Sequence, residues 1–207
     1  MVASFKILFD NNGNPKNKQF VRHELLVFSE SYDRVVKIII DNSLSLNETI
    51  FRFNVATLMP PFGMTRTPTS VFYGMKIENG IPRDSNYHLF NACWKQYRGE
   101  FEGLKGEISK NASQRNRALL ELAKDSRDSV ISKMSVLFDK LEWTTIEGID
   151  IGRVGASKIL FAVFPEIALP VDNAEWDYVF RTHDYGKVLS SMLFGFVFPF
   201  ANFVKHR

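Results

Sequence analysis

The strongest constraint on this chain is a helical repeat in its middle. From Asn86 to about Ile108, the residues Leu89, Phe90, Cys93, Trp94, Tyr97, Phe101 and Leu104 recur at three- and four-residue steps. That spacing lays them on one stripe of an α-helix, while Arg98, Glu100, Glu102, Lys105 and Glu107 take the other sides. Asp84 or Ser85 can cap its start. A stripe this apolar must be covered, so the rest of the chain has to supply partner helices.

Several segments fit that demand. Ser45-Leu46-Asn47-Glu48 reads as a capping box, in which serine oxygen and glutamate satisfy each other's free backbone amides. It opens a helix from Leu46 to about Leu58, ended by Pro60-Pro61. Ser113 can cap a helix over Gln114–Lys124. A further helix over Ser126–Leu141 carries Val130, Met134, Val136, Leu137 and Leu141, and Glu142, Trp143 and Thr144 close it. Between them, residues 60–84 form a long loop rich in proline and glycine, with a short strand at Ser70–Tyr73. Arg66, Phe72, Tyr73 and Lys76 give that loop an aromatic and basic set that a nucleic acid could meet. The first residues are less regular. Phe5–Phe9 reads as a strand or one helical turn ahead of the turn cluster Asn11–Pro15, and Tyr32–Ile40 as helix or strand. The predicted fold class is all-α, one helical domain over residues 1–207, with room for a short β-hairpin near the N-terminus.

Composition narrows the function classes. The 207 residues include a single cysteine, Cys93, so this chain alone supplies no disulfide framework, zinc ribbon or four-cysteine iron–sulfur cluster. Cys93 itself reads as a small buried hydrophobe. Neither metal nor other cofactor is called for. The net charge of +3 and pI near 8.9 are compatible with a polyanion without requiring one. No apolar leader opens the chain, so a cytoplasmic location is expected. Val188–Val204 is apolar but carries Ser190, Ser191, Pro199 and Asn202, and reads as a broken core helix rather than a membrane anchor.

Chemistry concentrates between Gly148 and Asp172. Gly148 and Gly152 permit a tight hairpin, with Ile149 and Ile151 as apolar anchors. A helix begins at Arg153 and stops at Pro165. Its first amides point back towards glycine backbone, an arrangement that suits a phosphate oxygen. Pro170 sets an extended approach, and Asp172 falls at the start of a helix running from Asn173 to about Arg181, where aspartate is a good cap. His183 and Asp184, beside Tyr185, form either an acid–base corner or a local cap.

This order of elements over residues 144–182 resembles the helix-hairpin-helix DNA glycosylase superfamily. The resemblance rests on Gly152 at the hairpin's second glycine, Ala156 four residues on, and Pro170-Val171-Asp172 at the acid. It implies a DNA partner and monofunctional base excision, with Asp172 as the catalytic carboxylate. It further implies Gly148, Gly152, Arg153, Lys158, Arg181 and Lys187 at the nucleic acid, and Trp176, Tyr178 and Tyr185 around a flipped base. The chain departs from the pattern in three places. Asp150 replaces the hairpin's first glycine, Val154 stands where bifunctional members carry lysine, and the cluster cysteines are missing. Two alternatives stand beside it: a nucleic-acid-binding helical protein that cleaves nothing, and an unrelated helical structural or interaction protein.

Overall fold

The computed structural model describes residues 37–38, 46–58, 73, 76–78, 81–83, 87–109, 122–165, 167–171 and 175–193. Among these the chain is all-α. The helices are α1 (Glu48–Leu58), α2 (Tyr87–Ser109), α3 (Lys124–Glu142), α4 (Gly152–Val163) and α5 (Tyr185–Leu193), with one π-helical turn at Glu175–Phe180. Two small antiparallel hairpins complete it: β1 (Lys76–Glu78) with β2 (Ile81–Arg83), and β3 (Thr145–Ile146) with β4 (Ile149–Asp150). The expected readings at residues 5–15, Ser45, Gln114–Glu121 and Asp172–Ala174 lie outside the described residues, as does Val188–Val204 beyond Leu193. Leu122 and Ala123, the described end of the helix expected over Gln114–Lys124, are not helical, and Lys124 opens α3 instead. Lys37 and Ile38, all that is described of Tyr32–Ile40, are helical.

The α2 stripe is buried as its spacing requires: Cys93, Trp94, Tyr97, Phe101 and Leu104 all lie in the core. The antiparallel pairing of α2 with α3 can be read from two ion pairs, Glu107–Lys133 (2.6 Å) and Glu100–Lys140 (3.3 Å). Moving two turns back along α2 moves two turns forward along α3. Both pairs are exposed, so each adds only about 0–1 kcal/mol, and the aromatic core beneath them carries the stability. On α3, Val130, Met134, Leu137 and Leu141 face inward, whereas Val136 is exposed. Val136 stands two residues from Met134, about 200° around the helix, so it leaves the stripe.

α4 is the hub. Every residue from Gly155 to Val163 is buried, and the helix packs between α1 and α3. Polar groups inside the bundle serve its backbone. Asn54 of α1 donates Nδ2–H to Ala162 O (3.0 Å), and the Lys105 ammonium donates to Val163 O (3.4 Å) at the α4 C-terminus. A cation there meets carbonyls that have no partner within the helix.

The α1 start differs in detail from the expected box: Ile50 N–H donates to Asn47 Oδ1 (3.0 Å), so Asn47 caps the helix. Of the strand expected at Ser70–Tyr73, only Tyr73 is described, and it lies in a turn. A strand not expected from the sequence runs at 76–78 and pairs with 81–83, with Asn79-Gly80 between them in the sequence, a dipeptide whose tolerance of positive φ favours two-residue hairpins.

Candidate functional site

The segment joining α3 to α5 begins with a β-hairpin between two helices. Glu147 (φ 52°) and Gly148 (φ 79°) occupy its two turn positions, the left-handed pair that a tight antiparallel hairpin needs. Gly152, at φ 67°, turns the chain into α4. Ile151 is buried and Ile149 half-buried against the core. The hairpin's base is held by Thr144, which is buried. Its Oγ1–H donates to Lys140 O (2.6 Å) and its hydroxyl also meets the Tyr97 hydroxyl. Ile151 N–H then donates to Thr144 O (3.0 Å).

Beyond α4, two hydroxyls grip the extended stretch that leads to Asp172. Val171 N–H donates to Ser157 Oγ (3.0 Å), whose own proton lies within reach of Val171 O and Val154 O (2.9 Å each). Leu169 N–H donates to Tyr185 Oη, which donates to Leu169 O (both 2.9 Å). In an extended chain, residues two apart turn their N–H and C=O to the same side, so one edge satisfies both. Pro170 between them has no N–H to satisfy. Burial raises the Tyr185 phenol, only partly offset by its bond with Leu169, so it stays protonated as a donor.

The other expected residues scatter. The sequence reading puts Lys158 on a phosphate, but the structure puts it in the core, with no surface exposed. An ammonium sealed there cannot reach a strand lying on the surface. Trp176 and Tyr185 are expected to line a pocket, yet both are fully buried, and a side chain with no exposed surface walls no open hollow. Tyr185 instead stacks on Phe138 (4.6 Å between centroids), and Trp176 packs on both. Trp176 Nε1 has no hydrogen-bond partner among the described residues. Tyr178 belongs to the π-helical turn, but its side chain is outside the description, as is Asp172. Over Glu175–Phe180 that turn stands in place of the α-helix expected from Asn173 to about Arg181.

Of the expected cations, Arg153 is half-buried, bonds Glu142 through Nε (3.0 Å) and lies 5.8 Å above the Trp176 ring. Lys187 is exposed and pairs with Asp184 (3.7 Å). Asp184 is the α5 cap, accepting Lys187 N–H at Oδ1 (3.0 Å). His183 meets Asp177 (3.7 Å) at the surface. Arg181 is exposed, adopts φ 51°, and pairs with no carboxylate among the described residues. No group of three metal-ligating side chains occurs among the described residues. None of their helices is long and apolar enough to cross a membrane.

No protein-family model, curated protein or solved structure matches the chain.

Sequence reasoning missed the two hydroxyl grips. Ser157 carried a faint signal: a hydroxyl in an otherwise apolar helix needs a partner when that helix is buried. Trp143, exposed at the hairpin's base, had no periodicity to mark it.

Proposed function

We propose that this chain binds DNA and excises a base by hydrolysing an N-glycosidic bond, with Asp172 as the working carboxylate. The observation that carries the reading is the double grip of Ser157 on Val171 and Tyr185 on Leu169. A catalytic acid acts through a preset position, and here the backbone immediately before Asp172 is held on both residues that face the core. In such a reaction positive charge develops on the sugar as the base departs. A nearby carboxylate stabilises it and orients the attacking water. Arg181 and Lys187, both exposed, are the cations on this side that could meet phosphates.

The test pairs binding with product release. Asp172→Asn should bind damaged duplex as the parent chain does and release no base. Excision retained by that variant would end the reading. A second reading, a helical interaction protein, is favoured by one observation: Glu147 and Asp150 are exposed on the hairpin, where a phosphate would be repelled. It predicts no salt-dependent duplex affinity in the parent chain.

A further inference from the structure

The C-terminal end of α3 presents a surface that base excision leaves unused. Trp143 is the most exposed large apolar side chain among the described residues, at 83%. Its backbone is well held. Trp143 N–H donates to Asp139 O, and Thr144 after it is buried, bonded to α2 and to the start of α4. An indole on a fixed backbone has little main-chain freedom to lose on binding.

The charge around it is negative. Asp139 lies one helical turn before Trp143, Glu142 is adjacent, and Asp150 stands across the hairpin from Thr145. Asp184 approaches from α5: a Cβ placed on Gly186 would sit 3.1 Å from its Oδ1 and 3.3 Å from Ser135 Oγ of α3. Desolvation raises the Asp139 carboxyl, and repulsion by Glu142 and Asp184 raises it further. The carbonyl end of α3 adds the negative pole of its dipole. Arg153 pairs with Glu142 and Lys187 with Asp184, while Lys140 is held by Glu100, so Asp139 and Asp150 are the carboxylates of this patch that face no cation among the described residues.

An indole face beside carboxylates selects a cation, and a guanidinium fits both because it stacks flat while its edge donates to oxygen. The chain already builds this combination internally, where Arg153 lies over Trp176 and bonds Glu142. We propose that Trp143, with Asp139 and Asp150, docks an arginine-bearing segment of a partner protein. The proposal does not rest on the excision reading, since neither Trp143 nor Asp139 takes part in the chemistry at Asp172.

The test is a titration of the full chain with a short arginine–glycine repeat peptide at low ionic strength. A glutamate–glycine peptide and a short DNA duplex serve as comparisons. Trp94 and Trp176 are buried, so the tryptophan signal most open to a ligand is that of Trp143. The arginine peptide alone should shift that emission saturably. By calorimetry, Trp143→Ala and Trp143→Leu should each weaken it about tenfold, and Asp139→Asn should weaken it severalfold. Circular dichroism should show the variants folded. Equal affinity in Trp143→Leu would overturn the stacking, and no saturable binding would overturn the site. A duplex that shifts Trp143 emission in place of the peptide would overturn the choice of partner. Excision should be unchanged in Trp143→Ala and lost in Asp172→Asn, with peptide binding following the opposite pattern, so either reading can fail alone.

Discussion

Ser157→Ala tests the grip on Val171 directly. The substitution removes one oxygen from a fully buried site and leaves Val171 N–H and C=O without their shared partner. Each orphaned buried group costs about 1–3 kcal/mol, and the gap left by one oxygen is too small to admit a replacing water. Val154 O keeps its place in the α4 ladder, so its loss adds little. A destabilisation of about 3 kcal/mol follows, read as a lower urea midpoint at unchanged slope. If the stretch opens locally instead, Val171 amide exchange should quicken by about a hundredfold, since about 1.4 kcal/mol corresponds to tenfold. Tyr185→Phe should do the same at Leu169. The double variant should lose less than the two singles together, because releasing one residue lets its neighbour turn towards water. The reasoning is refuted if Ser157→Ala changes stability by under about 0.5 kcal/mol and leaves Val171 protected.

Three further outcomes are expected. Gly152→Ala should destabilise the chain by about 1–2 kcal/mol in urea melts, since φ 67° burdens any Cβ even though open space surrounds it. Cys93 should resist thiol reagents at mildly alkaline pH until denaturant is added, because burial pushes its thiol up to about 12 and the thiolate is the reactive form. For Asp139, the folded chain holds its proton to higher pH than the unfolded chain, so its contribution to stability falls as pH rises through the carboxylate range. Asp139→Asn should therefore be slightly more stable than the parent at neutral pH, and the difference should vanish in acid below that range.

Much of the architecture was legible in the residues themselves. The apolar stripe of α2, the inward face of α3 and the end of α1 at Leu58 all follow from local periodicity and backbone chemistry. So does the hairpin between α3 and α4, because glycine at Gly148 and Gly152 marks where the backbone must turn left-handed. The hairpin at 76–83 was legible too, in Asn79-Gly80, but proline and glycine around it read as loop. The π-helical turn had no local signature, since its winding depends on the packing of Trp176 against Phe138 and Tyr185.

Local pattern thus determined that the chain is helical, which faces of α2 and α3 are apolar, and where the chain reverses before α4. Only the tertiary structure decided what each polar side chain does. Lys158 and Arg153 are five residues apart on one helix, yet the fold seals the first in the core and leaves the second half open. Ser157 and Tyr185 are far apart in sequence and meet through two neighbouring backbone residues. Periodicity records which side of a helix faces inward, but a partner's identity depends on which other helix arrives there, and that is settled by packing.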